Sequence, residues 1–214
     1  MSAAAAPLQR SLLQLQLLLL VVVLPYLING QGTCGNGSVT LTRRDALGPF
    51  YEVGSPIRNL LAPPELVQDP ADVLVINGQV FGNDCRPLAN AVVEAWYAGD
   101  RDEFGDFYSP TNHRGQLVAD DCGKFMFMQN FPALYPGRPI PHIHYKISDA
   151  NRTMLLVTQL YFEGAIPAQY NPDSSQIAEV INEVDGRRSA EFHIYVSIPG
   201  TADIDSCQEP VSEG

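Results

Sequence analysis

Apolar and polar positions alternate in short runs along most of the chain, and each run stops at turn-forming residues. Residues 73–81 are β-branched and apolar and end at Gly82-Asn83-Asp84. Residues 91–97 (AVVEAWY) follow a turn around Arg86-Pro87, and residues 125–128 follow Asp120-Asp121-Cys122-Gly123. Residues 142–147 and 155–161 flank Ser148-Asp149-Ala150-Asn151, which reads as a hairpin connection, and residues 192–198 end at Pro199-Gly200. Short strands at fairly regular intervals, with turn residues between them, predict an all-β fold: an antiparallel, Greek-key-like β-sandwich. One short helix interrupts it, because Ile177, Val180, Ile181 and Val184 fall at helical spacing. Asp173-Ser174 can cap its start and Gly186 can end it. Residues 58–72 and 99–120 read as long loops, and loops of that length in a compact domain are often functional.

The first 30 residues stand apart from this pattern. Arg10 is their only charge, residues 17–24 are an unbroken apolar run, and Asn29-Gly30 offers a small residue for cleavage. This is the layout of a secretory leader. The run is shorter than the roughly 20 apolar residues that span a bilayer, and Gln14 and Gln16 interrupt its approach. The expectation is a leader at 1–30, a single domain at 31–214, and an extracellular location.

With Arg10 set aside, the 13 basic residues become 12 against 24 acidic ones, a formal charge of −12. So acidic a chain has no long-range attraction for phosphate backbones, which argues against nucleic acid as a partner. Without a basic amphipathic helix it has no evident means of binding a membrane after leader removal, and a monomer is expected. Cys34, Cys85, Cys122 and Cys207 form an even set behind a leader and read as two disulfides. Three pairings are open; 85–122 with 34–207 is the one preferred, since Cys85 and Cys122 both lie in turn-like sequence. Asn36-Gly37-Ser38 and Asn151-Arg152-Thr153 are glycosylation acceptors, consistent with a secretory route.

Chemistry concentrates in Tyr135-Pro136-Gly137-Arg138-Pro139-Ile140-Pro141-His142-Ile143-His144-Tyr145. In a strand, alternate side chains share a face, so His142 and His144 project to one side with Cα atoms roughly 6.6 Å apart. Two imidazoles so placed can converge on one metal ion. Ile143, Tyr145 and Ile147 then face the other side. No Asp or Glu on this strand completes a shell, but Tyr135 lies in the turn just upstream and Tyr108 ends the segment Glu103-Phe104-Gly105-Asp106-Phe107-Tyr108. A phenol loses its proton near pH 10, so only a strongly Lewis-acidic centre binds it as phenolate at neutral pH. That favours iron(III) over zinc or iron(II). Taken singly, either tyrosine is more often a packing residue.

These residues resemble the intradiol ring-cleavage dioxygenases, the family of catechol 1,2-dioxygenase and protocatechuate 3,4-dioxygenase, and most of all their short secreted members. The resemblance covers roughly residues 47–199. Gly48-Pro49-Phe50-Tyr51 is similar to an early segment beside the family's substrate pocket, marking Gly48, Pro49 and Tyr51 as pocket residues. The run from Asp84 to Trp96 resembles the family's P-x-x-x-A-x-V-E-x-W strand. Tyr135, Arg138, His142 and His144 match a run that supplies a tyrosine ligand, an arginine and two histidine ligands, and Thr158-Gln159-Leu160-Tyr161-Phe162 matches a TQ[ML]YF segment.

The resemblance implies one Fe(III) per chain on Tyr108, Tyr135, His142 and His144, and cleavage of catechols by O₂ to cis,cis-muconate-type products. It also implies catalytic roles for Tyr135, the ligand displaced by substrate, for Arg138, which stabilises negative charge on the ring, and for Gln159. Two spacings depart from the family pattern: the loop from Trp96 to Tyr108 and the step from Arg138 to His142 are both longer. A carboxylated catechol needs a cation, and Arg58, Arg101 and Arg114 lie in or near the loops. Two alternatives stand beside this reading: a secreted zinc hydrolase or lyase built on His142, His144 and His193, and a secreted binding module without catalysis.

Overall fold

The structure, a computed structural model, describes residues 40–100 and 106–201. The expected leader, the Asn36 acceptor, Cys34, Cys207 and Arg101 lie outside the described residues. Cys85 and Cys122 are both disulfide-bonded, but the pairing expected among the four cysteines extends beyond the described residues.

Among the described residues nine strands form two sheets: β1 (Leu74–Gly82), β2 (Val92–Tyr97), β3 (Arg114–Val118), β4 (Lys124–Gln129), β5 (His142–Ser148), β6 (Met154–Phe162), β7 (Ile177–Ala178), β8 (Ile181–Asn182) and β9 (Arg188–Val196). One sheet has the order β4-β1-β9-β8 and the other β3-β2-β5-β6-β7. The expected sandwich is present, with two exceptions to antiparallel pairing: β1 runs parallel to β9 and β6 parallel to β7.

The core lies between the sheets and follows from the period-2 rule. Val93, Ala95 and Tyr97 of β2, Ile143, Tyr145 and Ile147 of β5, and Leu160 and Phe162 of β6 all join one buried cluster. Ile76, Val80, Phe125, Phe127, Phe192 and Ile194 meet them from the other sheet. Burying a side chain of this size is worth roughly 1.5–3 kcal/mol. The alternate positions of β2, β5 and β6 therefore face outwards, yet His142, His144, Trp96 and Gln159 are also buried. Loops cover that outer face.

Three expectations are corrected. The helix at 177–184 does not form. Asp173 does cap a short 3-10 turn (Ser174–Gln176), with its carboxylate accepting from the Ser175 amide and Gln176 reaching back. Beyond it the backbone extends, because Ile177 and Ala178 find open strand edge on β6, and Ile181 and Asn182 pair with β9. Ile181 and Val184 are exposed, so the helical spacing marks no buried stripe. Gly186 serves a hairpin turn at φ 87° instead. Second, residues 99–120 are not one loop, since Arg114–Val118 pairs with β2 despite its glycine and charge. Third, the last strand begins at Arg188, earlier than the apolar run suggested. The 58–72 segment holds two 3-10 turns, Pro64–Val67 and Pro70–Asp72.

Candidate metal centre

Cross-strand register builds the floor of the site. On the outer face of the five-stranded sheet Trp96 of β2, His144 of β5 and Gln159 of β6 lie side by side, and His142 pairs with Tyr161. The indole of Trp96 stacks on His144 at 5.0 Å and 5°. From the other side, Gly48 sits at φ 74° where an added Cβ would approach His144 Cε1 to 3.2 Å. A bulkier residue there would crowd the imidazole, which gives the glycine a reason.

Tyr108 arrives from the loop preceding β3. Its hydroxyl stands 3.4 Å from His142 Nε2 and 3.5 Å from His144 Nε2. Tyr135 lies beside it, ring centroids 5.6 Å apart and nearly perpendicular. The Tyr135–Arg138 turn closes through the Arg138 amide donating to the Tyr135 carbonyl at 3.1 Å. Phe50 stacks on Tyr108 at 4.5 Å and 10°, and Phe107 packs against Tyr135. All four sequence-predicted ligands are thus brought together.

The electrostatics suit cation binding. The Ile140 carbonyl can only accept, so the 2.7 Å contact from His142 Nδ1 places the imidazole proton there and leaves the Nε2 lone pair free. Burial lowers the His142 pKa to about 4. Burial, His142 and Arg138 together hold His144 well below its ordinary range. Both rings are neutral at physiological pH, the ligating form. Burial, then Tyr135, pushes the Tyr108 phenol up, against the opposing charges of Arg138 and Arg114.

Do these residues fit a ferric ion? Ligand atoms that each sit about 2 Å from a shared ion stand roughly 3–4 Å apart, which is the spacing of Tyr108 Oη from both Nε2 atoms. The His144 Nδ1 is buried with no partner, and stacking on Trp96 holds that side of the ring. Two imidazoles and two phenols with no carboxylate among them are a donor set for a hard, strongly acidic cation, and they fit.

Arg138 and Gln159 also meet. An Arg138 Nη2 proton is donated to Gln159 Oε1, and Nη2 donates to the Tyr161 hydroxyl at 2.8 Å. Tyr161 in turn donates to Gln159 Oε1 at 2.9 Å. Sequence reasoning missed Tyr161 as a functional residue, although its spacing of two from Gln159 places both on one strand face. It also missed Trp96 as the partner of His144, which only strand register reveals. Tyr51 is placed as a wall: its ring packs on Trp96, and its hydroxyl accepts from Lys146 at 2.9 Å and donates to Glu94 at 3.3 Å. Pro49 lies exposed in the turn before Phe50. Arg58 and Arg114 are tied to backbone carbonyls.

The zinc alternative is not supported. His193 lies on β9, in the other sheet, exposed and 3.7 Å from Glu191. Among the described residues no group of three or more His, Cys, Asp or Glu is placed to hold a metal ion.

A sequence profile of the family described as "Dioxygenase" matches residues 46–191, more than half of the chain. The chain belongs to the intradiol ring-cleavage dioxygenase family. It is similar to "Catechol 1,2-dioxygenase 2" of Acinetobacter lwoffii, 34% identical over 162 residues, which covers 74% of this chain and 47% of that protein. This dioxygenase-family chain therefore spans about half the length of the curated relatives it matches. Among solved structures it resembles the dioxygenase domain of a dioxygenase carbohydrate-binding protein fusion from Streptomyces sp. SirexAA-E. The TM-score is 0.62 at 28% identity, over 74% of this chain and 99% of that one. An intradiol ring-cleavage dioxygenase from Tetranychus urticae shares the fold, with a TM-score of 0.60 at 19% identity, over 77% of this chain and 98% of that one.

Proposed function

We propose that this dioxygenase binds one ferric ion through Tyr108, Tyr135, His142 and His144, and with O₂ opens catechols between their hydroxyl-bearing carbons to cis,cis-muconate-type products. The meeting of the Tyr108 hydroxyl with both Nε2 atoms on a buried sheet face carries this reading. Bound there, ferric iron would supply the Lewis acidity that holds phenolate and catecholate oxygens, and the electron-accepting capacity that makes the ring reactive towards O₂.

The chain's own side chains supply the remainder. Tyr108 is buried, whereas Tyr135 is half-buried and nearer solvent. Tyr135, which would be held as a phenolate, is therefore the side chain able to swing aside and take a proton on its Oη from an incoming catechol hydroxyl, becoming a neutral phenol as that hydroxyl becomes a catecholate oxygen. Arg138, held by Gln159 and Tyr161, stabilises negative charge on the activated ring, a preorganised electrostatic role. Gln159 hydrogen-bonds at the same side of the ring. Phe50, Phe107 and Trp96 line the approach with apolar surface and exclude water from the two imidazoles. The leader read at 1–30 would place this activity outside the cell.

Metal analysis and a visible spectrum on the purified protein test the reading, followed by oxygen uptake with 4-methylcatechol under air. Stoichiometric iron, phenolate-to-iron charge-transfer colour and oxygen consumption are expected. A folded, colourless protein that takes up zinc but no ferric iron overturns it, and so does iron-loaded protein that consumes no oxygen.

A further inference from the structure

Arg114, the first residue of β3, is only 2% exposed, and no other Arg or Lys among the described residues is buried to that degree. Removing a guanidinium from water costs several kcal/mol unless good hydrogen bonds replace the lost solvation. Arg114 directs its bonds to backbone rather than to a carboxylate. Its Nε–H donates to the Ser109 carbonyl at 2.9 Å and its Nη2 to the Phe50 carbonyl at 3.4 Å, while Nη1 has no partner.

Those two carbonyls belong to the segments on either side of one phenol. Ser109 follows Tyr108 directly, and the Phe50 ring stacks on the Tyr108 ring. General closure of the 109–114 turn does not require Arg114. Arg58 already holds the Thr111 carbonyl at 2.5 Å and the Arg114 carbonyl at 3.0 Å, and the Ser109 hydroxyl accepts from the Asn112 amide at 3.1 Å. What Arg114 adds is a link between the backbone that carries Tyr108 and the strap that covers it.

We propose that Arg114 is a positioning residue: by joining the Ser109 and Phe50 carbonyls it sets the Tyr108 hydroxyl against His142 and His144, and so sets how tightly the chain takes up ferric iron. This rests on the metal reading above. A forked guanidinium can reach two carbonyls at fixed separation, which a point donor such as an ammonium does not do.

The test compares wild type, Arg114→Met and Arg114→Lys for ferric iron affinity, for the position of the visible band after loading, and for melting of the metal-free protein. Arg114→Met is expected to melt cooperatively, bind iron at least tenfold more weakly, and show a displaced or absent band; Arg114→Lys should lie between. Wild-type affinity and band in a cooperatively melting variant overturn the proposal, and where the methionine variant does not fold, the lysine variant decides. Loss of cooperative melting in both would make Arg114 a residue of the fold and would equally overturn it. A wild-type protein that takes up no ferric iron overturns the metal reading itself, an outcome seen before any variant is made.

Discussion

Tyr161→Phe removes one oxygen from a buried position and leaves the ring in place. That oxygen accepts from Arg138 at 2.8 Å and donates to Gln159 at 2.9 Å. Arg138 keeps its bond to Gln159, so the guanidinium stays nearby but its orientation rests on one partner instead of two. A hydrogen bond to a charged group is worth about 1.5–3 kcal/mol. If the whole of that is lost as stabilisation of charge on the activated ring, kcat falls roughly 10- to 150-fold, at about 1.36 kcal/mol per factor of ten. KM should change little. Iron content and visible band should not move, because Tyr161 lies outside the ligand set and its ring centroid stands 6.1 Å from that of His142. Oxygen-electrode kinetics on iron-loaded protein read the rate, and metal analysis reads the content. A kcat within about twofold of wild type at equal iron content would show that the Arg138–Tyr161 bond does not contribute to turnover.

Gly48→Ala places a side chain at φ 74° and 3.2 Å from His144 Cε1, so it should destabilise by about 1 kcal/mol or more and weaken iron uptake. Melting and metal analysis check both. Lys146→Met leaves Glu94 buried with only the Tyr51 hydroxyl, and breaking such a pair should cost about 3 kcal/mol in urea titrations. Adding Glu94→Gln should recover part of that loss, and a double variant no better than the single one contradicts the assignment. Burial lowers His113 and His142 to about 4 and holds His144 well below its ordinary value. Unfolded histidine takes up protons near pH 6.5. Between about pH 6.5 and 4 the unfolded chain thus binds more protons than the folded one. The stability of the metal-free protein is therefore whole above that window and is lost as pH falls through it. A urea midpoint that stays level or rises on acidification contradicts these environments.

The sandwich was legible because its strands have two chemically different faces. The alternation in β5 placed Ile143, Tyr145 and Ile147 in the core and the two histidines opposite, and the structure agrees. Where a segment lacked that contrast, reading failed. Ile177, Val180, Ile181 and Val184 have helical spacing, but the edge of β6 and the start of β9 offered backbone partners that an isolated helix could not match. Arg114-Gly115-Gln116 carries no strand-like pattern, yet β2 recruits it through backbone pairing that ignores side-chain type.

The linear order of residues was enough to put two imidazoles on one side of a strand and a tyrosine in the turn before it, since both depend on local backbone geometry. It could not say that Trp96 would stack on His144, that Tyr161 would join Arg138 to Gln159, or that a buried arginine would tie Phe50 to Ser109. Those contacts bring together segments from 21 to 64 positions apart, Arg138 with Gln159 and Phe50 with Arg114 being the two extremes, and their distances are set by sheet register and by the loops that close over the outer face. Local periodicity carries no information about either.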